Sequence, residues 1–424
     1  VTRSLSPKAA GSVLLISVLM VAGLLMGRVE PIVLAAPFVV ALVWGLAAVD
    51  DPRVRATTSL ETDRCLEGED VFMTLRVEVE SPVGEALVGV VLPAGLEVVD
   101  GEKYTTVTLS ADEPWSAKLT VRARRWGAYE IGPVVVRAYG PGRYSSFEST
   151  FPVDGSLRVY PPAEPLRRGV PPQRTQVFAG NYVSRAAGEG IEFASVREFA
   201  STDDVKRINW RVTSRRDALY INVYHPERNS DIVLFLDTFG DVGPPGETSL
   251  DLAVRGAAAL ARHYLTHKDR VGLVNFGGTL GWITAGQGQP HTYRIVDYLL
   301  GTQATWSFAW KDLDYLPIGI LPSLCTIVAF SPLLDERAVT ALVNLQARGF
   351  PLVIVDTLRQ TGIEPNPTPE GLLAWRVWKM ERAAVDLDLE RLGIPVVQWP
   401  EHGPLEAALA RVPELRRRPR ARGA

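Results

Sequence analysis

The chain has 424 residues, 45 basic against 48 acidic side chains for a net charge of -3, and 46% hydrophobic residues. That length supports two or three domains with real cores. The near balance of charge argues against nucleic acid as the main partner, which calls for a basic face. Only Cys65 and Cys325 occur, far apart, so no disulfide framework is expected, and no cysteine–histidine cluster has zinc-finger spacing. His263 and His267 lie four apart on an expected helix but lack the glutamate of an HExxH metal site.

Ala9 to Gly27 and Pro31 to Val49 are uncharged, mostly apolar runs of 19 residues each. As helices each spans roughly 30 Å, the hydrocarbon thickness of a bilayer. Arg28-Val29-Glu30 between them is a turn, so residues 1–52 read as a two-helix transmembrane hairpin. Arg3 and Lys8 before it, with Arg53 and Arg55 after it, outweigh the one arginine of the turn. Positive-inside logic then places both ends in the cytoplasm and predicts a multi-pass protein of the cell membrane whose soluble domains face the cytoplasm. A cleaved signal peptide ending near Ala35-Ala36, followed by a buried helix, is the competing account, and the second span disfavours it.

Residues 53–160 change character. Val71–Glu80, Val88–Leu92, Tyr104–Leu109, Trp115–Ala123 and Val134–Tyr139 are short β-branched segments, several strictly alternating, separated by Gly, Pro or Asp. Their spacing predicts an antiparallel, immunoglobulin-like β-sandwich. Residues 161–187, rich in Pro, Arg and Gly, read as a polar connector.

Residues 188–412 form the third region. Ser201 and Thr202 precede Asp203 and Asp204, a capping pattern with acids in a first turn, which predicts a short helix starting there. Val205, Ile208 and Val212 would form its apolar face, with Lys206, Arg207, Arg211, Arg215 and Arg216 around it. Leu219 to Tyr224 alternates as a strand. Ile232 to Leu236 is a continuous apolar run ending at Asp237, the pattern of a buried parallel strand. Helices and strands then alternate: helices at 250–266, 293–300, 336–347 and 371–392, and strands at 270–276, 326–330, 352–355 and 396–399. That order predicts a mainly parallel sheet covered on both faces, so the fold class is α/β with an added β-sandwich. Residues 413–424 make a basic, disordered tail with weak affinity for anionic headgroups.

The densest motif runs from Gly188 to Asp237 and contains Gly188, Gly190, Glu192 and Phe193; Arg197, Glu198 and Phe199; Asp203, Asp204, Ile208 and Trp210; Ser214 and Arg216; and Asp237. In these residues it resembles the signature of the domain of unknown function 58 family. Thr202 stands where the family has glycine, Lys206 takes the first basic position, and Asn209 replaces the aspartate before Trp210. Arg124-Arg125 with Gly127, Tyr129 and Gly132-Pro133 is similar to an element that precedes the signature in that family.

The resemblance implies a von Willebrand factor A-like C-terminal domain and a partnership with a MoxR-type AAA ATPase in chaperone-like maturation or cell-envelope processes. In that fold a Mg²⁺ site follows the first strand as D-x-S-x-S. Asp237 and Asp241 are the candidate ligands here, but Phe239 holds the first serine position and cannot ligate a hard cation. A hydrogen-bonded aspartate at a strand end is the favoured reading. Gly190, Glu192, Phe193, Arg197, Glu198, Asp203, Asp204, Lys206, Arg207, Trp210 and Arg216 are the candidate interaction residues. Their charges make either a salt-bridge network pinning the segment to the sheet, the favoured reading, or a recognition surface.

The chain is therefore expected to be a membrane-anchored protein-interaction module and not an enzyme. A metal-assisted hydrolase using Asp203, Asp204 and Asp237, or a membrane-bound sensor, are the alternatives. No G-x-S-x-G elbow, phosphate-binding glycine loop or HExxH pair occurs.

Overall fold

In the computed structural model the described residues are 2–47, 53–152, 155–162, 164–170, 182–183, 192–200, 205, 208–216, 218–225, 227–228, 230–305, 320–322, 325–359, 365–401 and 403–417. The chain divides into two compact units, Val1–Tyr160 and Pro161–Ala424.

The first unit opens with a strand, β1 (Thr2–Leu5), that leads into α1 (Pro7–Met26) and α2 (Glu30–Ala47). Ser6 caps α1 by accepting from the Ala9 N–H, and Gly27 ends it in the left-handed conformation. α1 is long and apolar enough to cross a membrane by length and composition, whereas α2 is apolar and slightly shorter. A Cβ on Gly23 would sit 2.7 Å from Ile32, so the bare glycine lets the two helices approach. Gly45 of α2 lies likewise against the Tyr144 ring, and the Lys8 ammonium donates to the Gly142 carbonyl at 2.9 Å.

The remaining strands are β2 (Val54–Leu60), β3 (Arg64–Leu66), β4 (Asp70–Val79), β5 (Val83–Val90), β6 (Leu96–Asp100), β7 (Tyr104–Leu109), β8 (Trp115–Ala123), β9 (Gly127–Glu130), β10 (Val134–Tyr139), β11 (Ser145–Phe151) and β12 (Ser156–Tyr160). They form a five-stranded antiparallel sheet, β1-β11-β10-β5-β7, and a four-stranded one, β2-β4-β8-β6. A three-stranded sheet, β3-β12-β9, completes the unit. Alternation along β4 buries Val71, Met73, Leu75, Val77 and Val79 while its polar residues face outward. Leu75, Val77 and Val79 pack with Val88, Val134, Val136 and Phe147 of the facing sheet, which makes the two sheets a sandwich. Cys65 here and Cys325 in the second unit are free and buried.

In the second unit the elements are β13 (Tyr182–Val183), β14 (Glu192–Glu198), α3 (Trp210–Thr213), β15 (Tyr220–His225), β16 (Glu227–Arg228), β17 (Asp231–Thr238), α4 (Ser249–Thr266), β18 (Arg270–Gly277), β19 (Gly281–Gly286), α5 (Gln289–Leu300), β20 (Thr326–Ser331), α6 (Glu336–Ala347), β21 (Leu352–Asp356), α7 (Pro369–Arg391), β22 (Val396–Gln398), α8 (Leu405–Leu409) and α9 (Val412–Arg417). Six strands form one sheet in the order β19-β18-β17-β20-β21-β22. All its pairs are parallel except β18 with β19. β17 is buried along its whole length, as a strand covered on both faces must be. Phe235, Ile327, Ile354 and Leu342 belong to one cluster of the core.

Two expectations are corrected. The helix predicted to begin at Ser201 does not run on through Val212: its start lies outside the described residues, Val205 is in a 3-10 turn, and a separate one-turn helix begins at Trp210, with Asn209 as its cap accepting from the Val212 N–H at 3.1 Å. Ile208 forms an isolated antiparallel bridge with Ile221, so the three- and four-residue spacing of Val205, Ile208 and Val212 marks no continuous helix. The expected cap residues Ser201 and Thr202 and the first-turn acids Asp203 and Asp204 lie outside the described residues. The expected basic tail is helical over Val412–Arg417, and the rest of it lies outside the described residues.

Residues 164–170, expected as connector, are strapped to the second unit's own body. Glu164 Oε1 accepts from the Leu405 N–H at 2.7 Å, which caps α8 from outside. The Tyr264 hydroxyl donates to the Val170 carbonyl at 2.9 Å.

Candidate functional site

The strand order reverses between β17 and β20, since the chain moves outward in one direction through β18 and β19 and in the other through β21 and β22. In open α/β sheets a crevice opens at the carboxyl ends of the strands flanking such a reversal. Asp237 sits there at the end of β17, and Ser331 closes β20 beside it. The Ser331 hydroxyl donates to Asp237 Oδ2 at 2.6 Å, and the Phe239 N–H donates to Oδ1 at 3.0 Å. Burial pushes the Asp237 carboxyl up to about 6, against the opposing pull of these donors and of Arg337.

Asp335 caps α6, accepting from the Arg337 N–H at 2.9 Å and from its guanidinium at 2.7 Å. That guanidinium hydrogen bond holds the Asp335 carboxyl below its ordinary range. The Arg337 guanidinium carbon lies 4.5 Å from the centroid of the buried Phe239 ring. Phe239 in turn meets Phe276 edge-on.

Asp241 is engaged elsewhere, at the start of α4. Its Oδ1 accepts from the Leu250 N–H at 3.0 Å and the Ser249 hydroxyl at 3.4 Å. The two candidate metal ligands are thus each engaged by protein donors, an aromatic ring stands between them in sequence, and a guanidinium covers that ring. These residues do not fit a divalent cation, which needs several free oxygen donors converging on one point. Among the described residues no group of three His, Cys, Asp or Glu side chains could hold a metal. The histidine pair is engaged with backbone: His263 Nδ1 faces the Leu166 carbonyl at 2.9 Å, and His267 Nδ1 faces the His263 carbonyl at 2.7 Å.

One strand further out, Asp356 ends β21 next to Ser331. Arg382 of α7 reaches it as a buried ion pair and donates to the Pro332 carbonyl at 2.7 Å. Burial pushes the Asp356 carboxyl up to about 6, and Arg382 opposes the shift. Sequence reading missed both Arg337 and Arg382. Arg337 is two residues after the capping Asp335, and that spacing was its one signal. Arg382 carries none, because only the fold brings α7 over the end of β21.

The signature residues form a second constellation. β14 pairs antiparallel with β15, from Glu192 opposite His225 to Glu198 opposite Tyr220. The Tyr220 hydroxyl donates to Glu198 Oε1 at 3.2 Å, and the Arg216 guanidinium stacks over the Tyr220 ring at 5.7 Å. Asn209, in place of the family's aspartate, donates to Asn222 Oδ1 at 2.7 Å while capping α3, so a neutral amide ties the helix to β15. Arg197, Glu198, Arg211, Arg215 and Arg216 are exposed, and Trp210 is 66% exposed. Glu192 and Phe193 fall in β14, while Gly190, Asp203, Asp204, Lys206 and Arg207 lie outside the described residues.

The geometry defines a doubly wound α/β unit with a filled switch-point crevice. A family model described as protein of unknown function DUF58 matches residues 195–319, so that stretch is similar to the family. No curated protein matches it. Among solved structures, a fragment of Escherichia coli alpha-2-macroglobulin is 19% identical over 26% of this chain and 23% of its own, with a TM-score of 0.21. A non-cellulosomal cohesin from Archaeoglobus fulgidus is 13% identical over 25% of this chain and 91% of its own, at 0.18. A CARDB domain from Pyrococcus furiosus is 14% identical over 25% and 97%, at 0.17. The chain thus spans about a quarter of the macroglobulin fragment, and likenesses at these scores carry no argument about function.

Proposed function

We propose that this chain is a membrane-anchored protein-interaction module. In this reading α1 and α2 form a transmembrane hairpin with both ends on the cytoplasmic side, and the sandwich is a spacer or second binding module. The second unit is a von Willebrand factor A-like domain that engages a protein partner, and the resemblance of the signature points to a MoxR-type AAA ATPase. The sheet order, with β17 central and β19 antiparallel at one edge, supports the A-like reading. Strand β1 supports the hairpin reading, because it pairs with β11 immediately before α1 begins and so keeps both ends of the helical pair near the sandwich.

The observation that carries recognition is Trp210. A tryptophan 66% exposed on a one-turn helix, flanked by the exposed Arg211, Arg215 and Arg216, joins the two residue types that dominate binding hot spots. A pull-down from solubilised membranes tests it. Trp210→Ala and Arg216→Ala each lose the ATPase while the second unit's thermal midpoint stays within about 2 °C, as expected for surface substitutions. Retention of the ATPase by both variants would refute the assignment of this face.

A further inference from the structure

Helix α7 has two apolar faces on opposite sides, and its own unit uses one. Trp375, Trp378, Arg382, Val385 and Leu389 point inward, with Arg382 and Leu389 buried and the two indoles stacked at 4.7 Å. Leu373, Val377, Met380, Ala384 and Leu387 are exposed, by 62%, 47% and 73% for the first three and 48% for the last. At about 100° per residue these five fall within roughly 40° of one line along the helix, nearly opposite the inward face. A surface helix needs only the inward stripe. The second stripe has the alternating four- and three-residue spacing of a coiled-coil seam, with Leu373, Met380 and Leu387 at d positions and Val377 and Ala384 at a positions.

The identity of the occupant follows from residue choice and charge. A β-branched residue at a with leucine at d favours two-stranded parallel pairs. In a parallel, in-register pair each g residue faces the e residue five positions on in the other helix. Here those are Arg376 and Glu381, so the contact is complementary and occurs twice by symmetry. An antiparallel pair would set Glu381 against its own copy. The ion pairs of α7 among the described residues are Arg382 with Asp356 and Arg391 with Asp388, which leaves Arg376 and Glu381 available. We propose that α7 pairs in parallel and in register with α7 of a second copy of this chain, through an isologous two-stranded seam.

The test uses the full chain in detergent micelles. Ala384→Cys adds a thiol at a central a position of a chain whose two native cysteines are buried. Oxidation then yields a covalent dimer in this variant and not in the parent. By light scattering the parent is a dimer, and Met380→Glu, at an exposed position, is a folded monomer by circular dichroism. Arg376→Glu and Glu381→Arg each weaken the dimer roughly tenfold at low salt, and the double swap restores it. A monomeric parent, an Ala384→Cys chain that does not cross-link, or a double swap that fails to restore pairing overturns the proposal. Cross-linking that requires Met380→Cys together with Ala384→Cys assigns an antiparallel pair and overturns it equally. None of these readouts involves Trp210 or an ATPase, so the dimer and the proposed recognition face fail separately.

Discussion

The outward faces of the sandwich and the buried strand ends of the parallel sheet hold their carboxylates in opposite ways. In the sandwich, Asp70 and Glu85 lie on outward faces, and hydrogen bonds from Arg122 and Arg143 pull both below the ordinary carboxylate range. In the α/β unit, burial pushes Asp237, Asp269 and Asp356 up to about 6 each. The contrast follows from sheet type. An antiparallel sandwich strand alternates inward and outward, so every second residue can meet water and a counterion. A parallel strand covered on both faces has no outward side, and acids enter only where the strand ends. There backbone N–H groups and the occasional arginine satisfy them, while burial disfavours their charged form.

That contrast predicts effects of decreasing size. Arg382→Ala strips the buried Asp356 of its cation and should cost the second unit about 3–5 kcal/mol in urea unfolding. A loss under about 1 kcal/mol would show that the pair is not truly desolvated. Asp237→Asn keeps the shape and removes the charge. A carboxyl whose folded pKa is raised contributes stability that is fully present below about 3.8 and lost as pH rises through about 6. The interval is worth on the order of 3 kcal/mol, so the variant should be more stable than the parent at pH 8 by up to that amount and equal to it below pH 4. Unfolding curves at the two pH values check the sign.

In a pH scan of thermal unfolding, the second unit's midpoint should rise between pH 7 and pH 4.5 as its buried acids take up protons. The first unit's should hold until pH falls below about 4 and then drop, because stability from a lowered pKa is lost as pH falls through the folded value. Midpoints moving together would erase the distinction. The smallest effect belongs to Asp70→Asn. It removes the two-pronged contact with Arg122, and its effect on the first unit's midpoint should shrink further in 1 M salt because that pair is exposed to solvent. Calorimetric titration with Mg²⁺ and Mn²⁺ should give no heat from the switch-point crevice, and saturable heat abolished by Asp237→Ala would contradict the fit of Phe239 and Arg337 there.

Much of the architecture was legible where local pattern and fold agree. Alternation marked the sandwich strands such as β4, a continuous apolar run marked β17, the alternating order of helices and strands marked β20 and β21, α4 showed as amphipathic, and α7 stood out by length. What escaped notice depends on distant partners. β1 is four residues whose strand character comes from β11. β19 reads as a glycine-bounded loop, Gly281 to Gly286, and becomes a strand by pairing with β18. The apolar spacing of Val205, Ile208 and Val212 suggested one helix, and the pairing of Ile208 with Ile221 interrupts it. The site divided likewise. Asp237 announced itself at the end of an apolar run, whereas Arg337 and Arg382 acquire their roles only once α6 and α7 are laid across the strand ends.

Strand β1 carries a consequence for biosynthesis. It leaves the ribosome well over a hundred residues ahead of the segment it must zip onto, and two greasy helices follow it immediately. Until Ser145 to Phe151 has been made, β10 is the open edge on that side, and the rim of β11 is then open to any passing extended peptide until β1 folds back onto it. Closing this gap is a long-range event that the nascent chain can complete only after Ser145 to Glu148 has emerged.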